Sequence, residues 1–300
     1  KIIKHQTHRP EDEMSLEAKK IKPGNSKKNI FDIIKNCSLN EEDEFKLMKY
    51  IKKKNRIFIS TPFSRKAVDR LIKFKIPAFK IGSGECNNYL LVEYIAKQKK
   101  PIILSTGMNS IEQIKPAVQI LRKNKVNYAL LHCTNIYPTP PELVRLNCLS
   151  ELKKNFKDAV IGLSDHTNSN FSSYGALALG ASIIEKHFVD DKSKKGPDIP
   201  CSMDPSDLKK LIEGSKIISL AKRPGKKEGL KEETKTINFA FASVVSIKEI
   251  FPGEKLNQNN IWVKRPGLGD YLAKDFKKLI GKKVKIKINK DTFIKKTHLK

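Results

Sequence analysis

Short apolar runs rich in β-branched residues recur along most of the chain, each ending in polar groups and each followed by a stretch with helical spacing. The runs are Ile57–Ser60, Ala78–Ile81, Ile102–Ser105, Tyr128–Leu131, Ala159–Gly162 and Ser182–Glu185, and Lys1–Thr7 adds another at the start. Their starts lie between 21 residues apart (Ile57 to Ala78) and 31 apart (Tyr128 to Ala159). That leaves room for a strand and a crossover helix, so the strands are expected to be parallel. Helix starts are marked locally. Asn40 precedes Glu41, Glu42 and Asp43, with Phe45, Leu47, Met48 and Ile51 following at helical spacing; Asn109 has Glu112 three residues on; Asp204 is followed by Pro205.

Seven such strands predict an α/β fold. A closed (β/α)8 TIM barrel has eight, so the expected architecture is a TIM barrel lacking its first strand in this chain, with the missing unit before Lys1. The rival is an open doubly wound sheet, but no Gly-rich dinucleotide fingerprint follows any strand. The excursion through Pro23-Gly-Asn-Ser26 is long for a barrel connection, a place where function often sits. The barrel is expected over residues 1–222 and a charged Gly- and Pro-containing linker over 223–238. A small β-rich domain is expected over 239–300. There Phe239–Ser246 is strand-like, Phe251-Pro-Gly-Glu254 and Arg265-Pro-Gly267 are turn signals, and Lys283–Ile288 alternates with period two.

Composition narrows the class. A hydrophobic content of 39% fits a globular protein, and no apolar run approaches the roughly 20 residues of a membrane helix. The net charge of +28 invites a nucleic-acid reading, but the lysines are spread along outer helix faces, as in Lys46-Leu-Met-Lys-Tyr-Ile-Lys-Lys-Lys54. A basic field would still concentrate a small anionic substrate. Five cysteines without CxxC spacing predict reduced thiols in a cytoplasmic protein, with Cys133 filling the core.

If the strands form a barrel, their C-terminal tips converge on one mouth. Lys is rarely buried unpaired, so Lys4 and Lys80 are expected to face a polar centre. With hydroxyls from Thr61, Ser83, Ser105 and Ser164 they would make a pocket for a phosphate and a carboxylate. His166 and His187 end adjacent strands and could share one metal ion, although a histidine is more often a satisfied core residue or a general base. Two imidazoles without thiolates suit Mn, Fe, Co or Zn in a catalytic role.

The segments Phe79-Lys-Ile-Gly-Ser-Gly-Glu-Cys-Asn-Asn88, Ile103-Leu-Ser-Thr-Gly-Met108, His132-Cys-Thr-Asn-Ile-Tyr-Pro-Thr-Pro140, Gly162-Leu-Ser-Asp-His-Thr167 and Gly196-Pro-Asp198 resemble bacterial N-acetylneuraminate (sialic acid) synthases. The tail from Phe239 through Val263-Lys-Arg-Pro-Gly267 resembles their antifreeze-like (SAF) domain. The resemblance implies metal-dependent condensation of phosphoenolpyruvate with N-acetylmannosamine, commonly with Mn2+, Mg2+ and Co2+ being alternatives. It makes His166 and His187 metal ligands, with Glu185 beside the ion as part of the catalytic set. It places Lys4, Thr61, Lys80, Ser83, Ser105, Asn135 and Ser164 around phosphoenolpyruvate, and Gln6, Asn25, Tyr137, Asp198, Phe239 and Arg265 on the sugar side. Because Arg265 in this family reaches the partner subunit's site, the resemblance also implies a domain-swapped homodimer, with neither nucleic acid nor membrane as partner.

The family also carries a carboxylate on its first strand, in a motif of the kind Glu-Ile-Gly-x-Asn-His. That motif is expected upstream of Lys1, and without it the chain is expected to be unstable or inactive. Two rivals predict different behaviour. A legionaminic or pseudaminic acid synthase would take a diacetamido-trideoxy hexose, although Lys4-His-Gln-Thr-His8 and Glu85-Cys-Asn-Asn88 look closer to the mannosamine enzyme. A basic non-catalytic nucleic-acid-binding protein would show salt-dependent binding and no response to metal.

Overall fold

The computed structural model describes residues 2–23, 28–196 and 198–300, and the chain divides into two compact units, Lys1–Arg223 and Pro224–Lys300. The first unit is built on β1 (Ile2–Thr7), β2 (Ile57–Pro62), β3 (Phe79–Ile81), β4 (Ile102–Ser105), β5 (Tyr128–Cys133), β6 (Val160–Asp165) and β7 (Ile183–Lys186). All neighbours pair in parallel, and their spatial order is the chain order from β1 to β7. A doubly wound sheet reverses its order at a switch point. This one does not, and the seven strands curl into a TIM-like half-barrel.

The connection after β1 holds α1 (Pro10–Glu13), α2 (Ile30–Cys37) and α3 (Glu41–Lys53). After the later strands come α4 (Arg65–Lys73), α5 (Tyr89–Ala96), α6 (Ile111–Lys123), α7 (Cys148–Asn155), α8 (Phe171–Ala178) and α9 (Pro205–Ala221). Strand alternation decides what each residue meets. Phe79 and Ile81, Ile102 and Leu104, and Ile161 and Leu163 pack outward into a core with Leu71, Val92, Ile95, Ile114, Leu121 and Leu152 of the helices. Each fully buried Leu or Ile stabilises the unit by about 1.5–3 kcal/mol. The residues between and beyond them, Lys80, Ser105 and Ser164, face a cavity instead. Gly162 lets β6 approach β7, because a Cβ there would sit 2.5 Å from the Ile183 carbonyl oxygen.

Helix starts follow side-chain capping. Asn40 Oδ1 accepts from Asp43 N at 2.9 Å, and Asp204 Oδ1 from Asp207 N at 2.8 Å. The start of α6 is a correction, because Ser110 is the cap. Its hydroxyl accepts from Gln113 N at 3.3 Å, and its own N–H donates to Gln113 Oε1 at 2.9 Å. Asn109 is drawn away by the preceding loop, donating to the carbonyls of Ser83 and Gly107 at 3.0 and 2.7 Å.

In the second unit β8 (Ser243–Ser246) and β9 (Ile261–Lys264) pair antiparallel, around a core that includes Val244, Ile250, Leu256, Ile261 and Ile294. Two local expectations change. Phe239 lies in the last turn of a helix, α10 (Thr234–Ala240), and the strand starts only at Ser243; a further turn, α11 (Phe276–Leu279), supplies buried Leu279. Lys283–Ile288 forms isolated bridges to Lys255, Leu299 and Ile250 rather than a strand. Val284 and Ile288 are buried but Ile286 is 46% exposed, so the apparent alternation does not bury one face. No described helix is long and apolar enough to cross a membrane.

Candidate active site

The C-terminal tips of the strands enclose a cavity of about 120 Å3. One wall is cationic. Lys80, in mid-β3, is almost fully buried and donates from Nζ to Ser105 Oγ and to the Ile81 carbonyl, both at 2.7 Å. Glu185 of β7 receives both lysines, with Oε1 3.2 Å from Lys4 Nζ and Oε2 3.5 Å from Lys80 Nζ. Burial lowers the pKa of Lys80, and Glu185 opposes that. Burial alone would raise the Glu185 carboxyl, but Lys80 and Lys4 outweigh it and hold it down at about 2. Glu185 therefore stays ionised and accepts hydrogen bonds. Buried Thr61, Ser83 and Ser164 add hydroxyls to the same cavity, and Gln6 lines it from β1.

A second part of the lining is aromatic. The rings of His166 and His187 lie 5.2 Å apart between centroids, and Tyr137 lies 4.2 Å from His166 and 6.0 Å from His187. His166 Nδ1 is 2.9 Å from the Thr134 carbonyl, which can only accept, so the proton sits on Nδ1 and Nε2 keeps its lone pair. His187 Nδ1 faces the Asp198 carboxylate at 3.5 Å. Burial pushes the pKa of both imidazoles down, chiefly by desolvation, and so favours their neutral forms. Asn135 donates to the Tyr137 hydroxyl at 3.3 Å, while its buried Oδ1 has no hydrogen-bond partner. That oxygen lies against Gly107, where a Cβ would come within 1.9 Å of it.

The structure thus brings Lys4, Gln6, Thr61, Lys80, Ser83, Ser105, Asn135, Tyr137, Ser164, His166, Glu185, His187 and Asp198 to one cavity. Phe239 and Arg265 belong to the second unit, both exposed, and Asn25 lies outside the described residues. Cys133 was expected only to fill core. It is buried, but it lines the cavity with Sγ 3.7 Å from His166 Nδ1. The signal was present in the period-two alternation that also turns Ser105 and Ser164 inward. A larger cleft of about 500 Å3 lies at the N-terminal ends of β6 and β7, lined by Leu149, Lys153, Val160 and Leu179, with no histidine or carboxylate.

The NeuB family model matches residues 1–227, and the SAF domain model residues 241–300. The chain belongs to the NeuB family. Among its relatives, the N,N'-diacetyllegionaminic acid synthase of Campylobacter jejuni is 37% identical, covering 94% of this chain and 86% of the relative. The N-acetylneuraminate-9-phosphate synthase of Homo sapiens is 33% identical, covering 83% and 69%. The crystal structure of an N-acetylneuraminic acid synthetase from Leptospira borgpetersenii superposes with a TM-score of 0.70 at 29% identity over 79% of each chain. This NeuB-family chain is accordingly a sialic-acid-type synthase, an enzyme of the class that forms a C–C bond.

NeuB synthases are generally metal-dependent. Among the described residues no three His, Cys, Asp or Glu side chains gather as a metal cluster. The donors that fit are the two imidazoles, which burial keeps neutral as ligation requires. A two-nitrogen set leaves several positions open, which suits a catalytic ion better than a closed structural one.

Proposed function

We propose that the chain condenses phosphoenolpyruvate with an N-acetylated amino-sugar aldehyde and water, releasing phosphate. What carries this reading is the division of one cavity into a lysine pair, Lys80 buried and Lys4 partly so, with hydroxyls, and a pair of neutral histidines. Lys4, Lys80, Ser83, Ser105 and Ser164 would hold the phosphate and carboxylate, and Thr61 and Asn135 would orient the enol. His166 and His187 would hold a divalent ion, Mn2+ first and Mg2+ or Co2+ as alternatives. When bound, that ion would polarise the aldehyde oxygen. Tyr137, Asp198 and Gln6 would face the sugar. Glu185, kept ionised by its two lysines, would orient both cations rather than donate a proton.

The motifs 4–8 and 85–88 support N-acetylmannosamine as acceptor, with N-acetylneuraminate as product. A second reading, a diacetamido-trideoxy hexose, is favoured by the higher identity to the legionaminic acid synthase than to the human enzyme, 37% against 33%. The homodimer, with Arg265 contributed across subunits, belongs to the same reading, as do the domain limits 1–222 and 239–300.

The test is phosphate release by the purified full-length protein, including the segment expected upstream of Lys1, with phosphoenolpyruvate and each sugar, before and after chelation and with Mn2+ restored. Release with one sugar and its loss on chelation are expected. No release with any acetamido sugar under Mn2+ would sink the proposal.

A further inference from the structure

Behind the two histidines, on the face of the sheet turned away from the cavity, lies a buried ion pair. Asp165 and Lys186 stand directly opposite each other across β6 and β7. Lys186 Nζ is 3.2 Å from Asp165 Oδ2, and their side chains are 2% and 0% exposed. The carboxylate is fully engaged: Oδ1 accepts from Thr167 N at 2.8 Å, and Oδ2 accepts from Ser173 Oγ at 2.6 Å. Lys186 Nζ also donates to the Thr167 carbonyl at 2.5 Å. Neither charge lines the cavity.

The position of this pair is what gives it meaning. Ser164 and Glu185 form the preceding cross-strand pair and face the cavity, and His166 and His187 follow immediately. β7 pairs with β6 over four residues. In so short a ladder the side-chain pairs carry much of the register, and a slip of one residue exchanges the two faces of the strand. Here that would turn Lys186 into the cavity, His187 out of it, and leave Asp165 opposite Glu185 or His187. Two charges in the interior cost several kcal/mol each unless they meet, and the best-attested use of such pairs is to fix register.

We propose that Asp165 and Lys186 are positioning residues that lock β7 onto β6 and so set the spacing of His166 and His187. This rests on the reading of the two histidines as metal-holding.

The test is a titration of the full chain with Co2+, followed by visible absorption, which reports affinity and ligand geometry together. The variant is D165N/K186M, which removes both charges, keeps an acceptor for Thr167 N and turns an amide N–H2 toward the Ser173 hydroxyl, which can accept from it. Its Co2+ affinity is expected to fall about 10–100-fold, the range for groups that orient metal ligands, with displaced d–d bands. The control is E44Q/R70M, which removes another buried ion pair of this unit, 2.9 Å between Arg70 Nη1 and Glu44 Oε2. It is expected to lower the melting temperature while leaving Co2+ affinity and bands unchanged, which a merely structural role for Asp165 and Lys186 would not separate. Wild-type affinity and bands in folded D165N/K186M overturn the lock. If that variant does not fold, K186Q replaces it: the cation is removed while the Asp165 carboxylate keeps its bonds from Thr167 N and Ser173 Oγ, so unchanged bands again overturn the proposal. H166A separates the two ideas. Its loss of Co2+ binding alongside retention in D165N/K186M overturns the lock alone, whereas wild-type binding by H166A overturns the metal reading and the lock together.

Discussion

The two walls of the cavity use burial in opposite ways. On the lysine side, burial works against the charge of Lys80, and a carboxylate placed between Lys80 and Lys4 opposes that effect. On the histidine side, burial removes charge, and removal is what the site needs because only a neutral imidazole can bind a metal. The difference shows that a low-dielectric cavity has no single effect. Where a cation must persist the fold supplies a partner, and where the lone pair of His166 Nε2 must persist it supplies a backbone carbonyl to accept from Nδ1–H.

The largest expected effect comes from breaking the lysine wall. Lys80→Met should lower kcat/KM for phosphoenolpyruvate by about 10³, the upper range for losing one group that stabilises transition-state charge, as read from initial rates of phosphate release. Arg should not restore it, because two 2.7 Å bonds at a buried Nζ leave no room for a planar fork. On the other wall, His187→Ala should lower kcat by about 10²-fold, in line with the loss of a group organising a metal site, while KM for phosphoenolpyruvate moves less than about twofold. If KM rises as steeply as in Lys80→Met, the two walls are not separate in function.

Gly107→Ala probes the floor between them. A Cβ would meet Asn135 Oδ1 at 1.9 Å and the Cys133 carbonyl oxygen at 3.0 Å. A cost of about 1–3 kcal/mol is expected, the range for overpacking, measured as a lowered melting temperature. The smallest effect concerns pH. Because the folded pKa of Lys80 lies below its unfolded value, burial of the ammonium opposes folding at low pH, and that cost is relieved as pH rises through the folded pKa. The charge needed to hold an anion disappears over the same range. KM for phosphoenolpyruvate should therefore start to rise below the ordinary lysine pKa of 10.5, and a profile flat to that pH would contradict it.

Local rules carried much of the fold. The runs from Ile57, Ile102 and Tyr128 became β2, β4 and β5 from their first residues, and Asn40 and Asp204 cap the helices that follow them. Rules that depend on a neighbour were less readable. Asn109 has the chemistry of a cap, but the Ser83 and Gly107 carbonyls engage it and Ser110 takes the role. Phe239 sits in a stretch that suits a strand, yet it lies in the last turn of a helix, and Lys283–Ile288 alternates without becoming a strand. Strand propensity describes fitness for a half-buried pleated surface, and nothing in the local residues says whether such a surface exists.

The sequence by itself determined that polar groups end a series of parallel strands, since alternation and length are local properties of the chain. It also placed lysines and histidines among those groups. Only the tertiary structure decided that Glu185 lies between Lys4 and Lys80, that the Thr134 carbonyl accepts from His166 Nδ1–H, and that Asp165 meets Lys186 behind the pair. Each of these joins residues far apart in the chain or on different strands. The energy of a buried charge depends on what surrounds it within a few ångströms, which no local pattern specifies.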